Sequence, residues 1–165
     1  MEKIVNDVLL TTTFTMEDIE YSKKRHVEIF GSEYGFSEFF NKYATAAIDA
    51  FPKTYNPEKD FMLIAKVEDK FAGTITFMGE ENGVGRLRFF FVEPFTRGKG
   101  VGRLVFTTAM DMAKEMGYNH LYFSTYNVLN AARTMYRTLG FVITKETPEE
   151  EVAPGVIEEI WEKDI

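Results

Sequence analysis

The chain contains no cysteine. A disulfide framework, a thiolate metal site and thiol redox chemistry are therefore excluded. Long apolar runs are also missing: nowhere do about 18 uninterrupted apolar residues occur, the length a membrane helix needs. The opening "MEKIVNDVLL" has no apolar signal region, so neither secretion nor membrane insertion is expected, and the expected compartment is the cytoplasm. Positive charge is in deficit, with 19 Lys+Arg against 26 Asp+Glu and a formal net charge of −7. Broad nucleic-acid binding needs a net basic surface to neutralise phosphates, so that class is set aside. Repeats, low-complexity tracts and linkers are absent as well. What is present is ordinary for a globular protein, 45% hydrophobic and 27% charged, and 165 residues suit a single domain spanning 1–165.

Periodicity divides the chain into elements. "DVLLTTTF" (7–14) reads as a first strand. "TMED" carries an acidic capping box, Thr15 with Asp18, that opens a helix with Ile19, Lys23, Val27 and Phe30 along one side. Gly31 and Gly35 punctuate, Ser37 is positioned to cap a second helix, and Pro52 and Pro57 bound a loop. "FMLIAKV", "EDK" and "FAGTITFM" form a hairpin, followed by the strand "GRLRFFFV". Helical spacing returns over 100–116 and stops at Gly117. A strand "HLYFSTY", a helix "NAARTMYRTL" ended by Gly140, and two strands complete the chain. This order predicts an α/β (α+β) fold with a mixed central sheet of about seven strands and helices on both faces.

The densest signal is "FFFVEPFTRGKGVGRLVF" (89–106). A buried strand runs into a turn with Gly98, Gly100 and Gly102 interleaved with Arg97, Lys99 and Arg103, and a helix follows at once. First-turn N–H groups lack intrahelical acceptors, and glycine removes the Cβ atoms that hold an anion away from backbone. A phosphate-bearing ligand is therefore expected here. A P-loop requires GK followed by Ser or Thr, which is missing, and the dinucleotide fingerprint requires G-x-G-x-x-G, whereas this segment runs G-x-G-x-G. It does satisfy R-x-x-G-x-G through Arg97, Gly100 and Gly102.

On that motif, the element order, and "NAARTMYRTLGF" with Ala132, Tyr136, Leu139 and Gly140-Phe141, the chain resembles the GNAT superfamily of acyl-CoA-dependent N-acetyltransferases. More narrowly, "RHVEIFGSEYG", "LRFFFVEP", "VLNAAR" and "IWEKDI" resemble strings in acetyltransferase domains fused to winged-helix regulators, although no winged-helix half lies within these 165 residues. The resemblance implies acetyl-CoA as the acyl donor, an amine acceptor, and no metal. Nucleic acid and membrane are not implied as partners, and monomer and homodimer both stay open. It implies that backbone from Arg97 through Gly98, Lys99, Gly100, Val101 and Gly102 holds the pyrophosphate, with Arg97, Lys99 and Arg103 adding charge. Backbone at Phe91 and Val92 would pair with the pantetheine arm, Asn130 and Arg133 would lie on the cofactor side, and Tyr136 would protonate the departing thiolate. Many members carry an asparagine seven residues before this tyrosine; Leu129 stands there, flanked by Asn127 and Asn130.

Direct attack of the amine on the thioester is implied, without a covalent enzyme intermediate, and an amine with a pKa near 10 needs a base. Many members have a strand glutamate where this chain has Arg86, with Arg88 following. Glu33, Glu93 and His26 are the remaining base candidates, Glu33 being the one carried forward. Glu93 reads as a solvated strand end, His26 as a structural hydrogen-bonding residue and His120 as having no catalytic part. A regular strand would put Arg86, Arg88 and Phe90 on one face, which suits an acceptor bearing an anion beside its amine; a bulge would reverse that parity. The alternative function is an acyl-CoA-binding sensor or partner module with weak or no turnover.

Overall fold

Two short strands open the chain, β1 (Glu2–Val5) and β2 (Val8–Thr11), in a computed structural model that describes all 165 residues. They form a tight hairpin because Asn6 and Asp7 adopt left-handed φ angles of 49° and 64°, as a two-residue hairpin turn requires. β1 had no signature in the sequence, since its residues are almost all exposed and show no buried alternation. The first strand is thus a pair, and the sheet has eight strands where about seven were expected.

The helix α1 (Met16–Tyr34) begins at the expected capping box. Thr15 N–H donates to Asp18 Oδ2 at 2.8 Å, and Asp18 N–H donates back to Thr15 Oγ1. Such a cap is worth about 1 kcal/mol. The helix runs through Gly31 and ends at Gly35, whose φ of 66° closes it in the left-handed conformation. Its buried stripe is Ile19, Ser22, His26 and Ile29, rotated from the expected Ile19–Lys23–Val27–Phe30 line. The apolar count favoured Val27 and Phe30, whereas the fold buries Ser22 and His26 between Ile19 and Ile29.

The second helix, α2 (Glu38–Thr54), retains Pro52 in its last turn, where a loop had been expected. Ser37 sits at its N-cap but its hydroxyl donates to the Glu151 carbonyl instead. Ser37 N–H also donates to the Val152 carbonyl at 2.9 Å. These bonds tie the start of α2 to the loop before the last strand.

Strands β3 (Asp60–Val67) and β4 (Lys70–Gly79) form the expected hairpin, and β5 (Val84–Val92) follows. Helix α3 (Val101–Glu115), strand β6 (His120–Tyr126), helix α4 (Asn130–Thr138) and strands β7 (Val142–Pro148) and β8 (Ile157–Asp164) complete the order. The sheet runs β1-β2-β3-β4-β5-β6-β8-β7. All neighbours are antiparallel except β5 and β6. No helix is long and apolar enough to cross a membrane.

Two features of β5 shape the site. It pairs with β6 only from Val84 to Arg86, against His120 to Tyr122, and beyond that the parallel strands part. It is also bulged: Thr76 opposes Arg88 and Thr74 opposes Phe91, so Phe89 and Phe90 share one place, with Phe89 at φ 55°. The expected common face of Arg86, Arg88 and Phe90 is therefore broken. The Phe90 ring packs 5.4 Å from Phe106 of α3, while Arg88 reaches Tyr43 of α2 on the other side.

The main core lies between the sheet and the α3/α4 layer. Phe106 is its hub, 1% exposed, with Phe90, Phe123, Tyr136 and Phe141 around it. Truncating a residue so placed to alanine costs about 3–5 kcal/mol. A smaller cluster of Ile19, Ile48, Phe51, Met62 and Ile64 fills the space beneath α1 and α2.

Candidate active site

Where β5 and β6 part, a cavity of about 450 Å³ opens. Its floor is Phe91, Val92, Phe123 and Thr125, one wall is the turn before α3, and another is α4. The α1/α2 side adds His26, Phe30, Phe40 and Tyr43, with Arg88 and Phe89 from the bulge.

The glycine-rich turn is built to present N–H groups. Gly98 and Gly100 have φ of 76° and 79°, left-handed angles that favour glycine, and no atom lies within 4 Å of where either Cβ would sit. Gly102 is needed for a different reason: its Cβ would meet Val92 Cγ2 at 3.1 Å, so glycine lets α3 approach β5. The N–H groups of Gly98, Gly100, Val101, Gly102 and Arg103 have no backbone or side-chain acceptor in the protein. Clustered at the positive end of a 15-residue helix, they form an anion cradle.

The turn is anchored by Glu93. Its carboxylate accepts from Arg25 Nε at 2.7 Å, Arg25 Nη2 at 2.8 Å and the Tyr21 hydroxyl at 2.8 Å. Burial and this bond push the Tyr21 hydroxyl up to about 12. Glu93 is 5% exposed, so the solvated strand end expected of it is corrected: the partners that bury it lie on α1, far away in sequence. Its oxygens are committed to these three donors.

Glu33 also ends in an ion pair. Arg97 grips it with both terminal nitrogens, Nη2 at 2.8 Å from Oε2, and holds its carboxyl below the ordinary value. Glu33 does not line the main cavity, whereas Arg97 and Arg103 do. Arg103 Nη1 lies 3.3 Å from Thr138 Oγ1. Lys99 is exposed and outside the cavity lining.

Tyr136 is 4% exposed and lines the cavity. Its ring packs 4.4 Å from Phe123 and 5.1 Å from Phe106. Burial pushes the hydroxyl well above its ordinary value, and the Thr125 side chain partly opposes that shift. The group stays protonated at neutral pH. Asn130 is exposed and outside the lining, which Leu129, Ala131 and Ala132 provide instead. Asn127 is turned to the last strand, its Oδ1 accepting from Ile157 N–H at 2.8 Å. Arg133 clamps the buried Glu159 at 2.8 and 2.9 Å and does not enter the cavity. A helix residue followed by a buried strand glutamate leaves no local trace of that pairing in the sequence.

His26 makes the structural hydrogen bond expected of it and also lines the cavity. It is buried against Phe89 and Phe91, and desolvation drives its pKa down to about 4. Nδ1 lies 2.8 Å from the Ser22 carbonyl, an acceptor, so Nδ1 carries the proton and Nε2 keeps its lone pair. His120 is held by Asp164 and Glu162 outside the cavity. No group of three or more acidic or histidine side chains is arranged to hold a metal.

Comparison with known proteins gives this geometry a family. An Escherichia coli K12 protein, uncharacterized N-acetyltransferase YjgM, is 33% identical over 69 residues, 42% of this chain and 41% of that one. Streptothricin acetyltransferase of Streptomyces lavendulae is 44% identical over 50 residues, 30% of this chain and 26% of that one. The matched stretch is thus under half the length of these curated relatives. A GNAT-family acetyltransferase from Staphylococcus aureus Mu50 superposes with a TM-score of 0.79 at 15% identity, over 95% of this chain and 98% of that one. A Bacillus anthracis protein described as a streptothricin acetyltransferase, solved with acetyl coenzyme A, gives 0.61 at 21%, over 70% and 68%. The profile of the acetyltransferase (GNAT) family matches residues 24–141, well over half of the sequence. The chain belongs to the GNAT acetyltransferase family.

Proposed function

We propose that this protein transfers the acetyl group of acetyl-CoA to the amine of a small acceptor by direct attack. The carrying observation is that Gly98 and Gly100 to Arg103, whose N–H groups have no partner in the protein, line the same cavity as Tyr136. The cradle fits a pyrophosphate, with Arg97 and Arg103 at its edge. The backbone of β5 at Phe91 and Val92, unpaired with β6, fits the amide-bearing pantetheine arm as an added strand, which would displace the Arg97 Nη2 contact to the Val92 carbonyl at 3.4 Å. Asn130, Arg133 and Lys99 take no part in this arrangement.

In the reaction the amine lone pair forms a bond to the thioester carbon, the C–S bond breaks, and the amine gives up a proton. Tyr136 donates its O–H to the departing sulfur. A thiol has a pKa near 8.5, far below that of this buried phenol, so the hydrogen bond stabilises the thiolate without needing complete transfer. His26, a lining residue whose Nε2 keeps its lone pair, would serve as the weak proton acceptor for a water relay.

A second reading, acyl-CoA binding without turnover, is favoured by one observation: no aspartate or glutamate lines the cavity to serve as a base. Amide NMR tests the cradle under either reading. Acetyl-CoA should shift the Gly98, Gly100, Val101, Gly102 and Arg103 N–H signals downfield, and unmoved signals at saturation would place the phosphates elsewhere. Amine-dependent thiol release then separates catalyst from binder.

A further inference from the structure

We propose that the acceptor is an amine carrying a carboxylate and an aromatic or similarly flat apolar body, selected by Arg88. This rests on the acetyl-transfer reading and narrows its substrate.

The arginines of the chain divide into two kinds. Arg25 and Arg133, partly buried, and the exposed Arg97 are each matched to a carboxylate, on Glu93, Glu159 and Glu33 respectively. Arg88 lines the cavity with no such match. Its only polar contact is the Tyr43 hydroxyl at 3.4 Å, at the edge of hydrogen-bonding range, and its guanidinium lies 4.6 Å from the centre of the Phe89 ring. Arg86, on the same face of β5, leaves its Nε buried without a partner and stacks over Tyr122. Glu158 of β8 feels both charges but bridges neither, and burial raises its carboxyl. Burial and the neighbouring Arg86 lower the Arg88 guanidinium from its usual value. An incoming anion would relieve that unmatched charge.

The rest of the lining agrees. With 26 acidic residues in the chain, none faces the cavity, while Arg88, Arg97 and Arg103 do. A polycationic acceptor would meet the unmatched charges of Arg88 and Arg103 there and no free carboxylate. The same field favours the neutral, nucleophilic form of an approaching amine, which eases the missing base. Around Arg88 the walls are Phe30, Phe40, Tyr43, Phe89 and Tyr126, a slot for a flat apolar group. One guanidinium neutralises one charge. A phosphate monoester, carrying about 1.5–2 charges at neutral pH, would leave an excess in an apolar enclosure, so the anion is a carboxylate.

The test compares two product-like probes that differ only in the anion, N-acetyl-L-phenylalanine and N-acetylphenethylamine, titrated by calorimetry with CoA present. The carboxylate probe should bind about 10- to 100-fold tighter, the range of a charge-assisted hydrogen-bond pair. Arg88→Gln should bring the two within about 3-fold of each other, and Arg88→Lys should restore part of the difference. The phosphonate analogue of the first probe should bind more weakly than the carboxylate. Equal affinities, failure of both probes to bind, or tighter binding of the phosphonate in the wild-type protein overturns the proposal, whatever the variants do. The probes are never turned over. A protein that binds them as described yet releases no thiol would refute acetyl transfer and leave the carboxylate subsite standing.

Discussion

Tyr136→Phe removes one oxygen from a ring held by Phe106, Phe123 and Trp161 at 5.1, 4.4 and 5.6 Å. The packing survives, so the stability change should be small, no more than the roughly 1 kcal/mol of one hydroxyl interaction. Catalysis should suffer more. The departing thiolate, with a pKa near 8.5, leaves without full protonation, so help from the phenol falls at the low end of general-acid effects. A loss of about 10- to 100-fold in kcat follows, or about 1.4–2.7 kcal/mol of transition-state stabilisation. The KM for acetyl-CoA should move by only a few-fold, because the bond forms mainly as the sulfur acquires charge. Burial keeps the phenol protonated beyond its ordinary value, so wild-type kcat should show no basic limb from this group through neutral pH. Steady-state thiol release beside a thermal melt makes the measurement. An unchanged kcat in a well-folded variant, with chemistry shown to limit the rate, would remove Tyr136 from the mechanism.

Other outcomes follow from the same contacts. Gly100→Val, at a φ of 79°, should weaken acetyl-CoA binding by calorimetry more than Lys99→Ala, since the cradle is backbone and Lys99 is exposed; the reverse order would locate the phosphates on the side chains. Glu93→Gln should lower stability by about 2–3 kcal/mol, less than a fully buried broken pair because Arg25 keeps Glu28 at 2.6 Å. A denaturant midpoint that does not move would contradict that anchor. Glu33→Gln should leave kcat within about 2-fold, its carboxyl being engaged by Arg97, and a large loss would restore it as the base. His26 takes up its proton near pH 4 when folded and near 6.5 when unfolded. Stability should therefore be complete above pH 6.5 and fall as pH drops through that window, on the order of 3 kcal/mol in full. Melting curves of His26→Gln should be flatter across the same range, and equal slopes would refute the assignment.

Signals confined to one turn or one strand pair could be read without coordinates. The Thr15–Asp18 cap, the β3–β4 hairpin and the glycine-rich turn before α3 depend on residues within a few positions of each other. Pairings across the fold could not be read. Glu93 looked like a solvated end because Arg25 and Tyr21, 68 and 72 residues away, are what bury it. Arg133 looked available to the cofactor because Glu159 comes from a strand later in the chain. The bulge at Phe89 has no glycine to announce it, and it turned Phe90 toward α3 while leaving Arg88 facing α2. Exposed β1 offered no periodicity to detect.

The central claim is acetyl transfer, and the most direct measurement follows free CoA thiol over time. Protein and acetyl-CoA are mixed with phenylalanine or another amino acid, each set against its decarboxylated amine, and mass spectrometry identifies the product. The account predicts thiol release that requires the amine, scales with protein concentration and is matched mole for mole by acetylated acceptor. Acetyl-CoA bound at the Gly98–Arg103 cradle with no amine-dependent thiol release would contradict it.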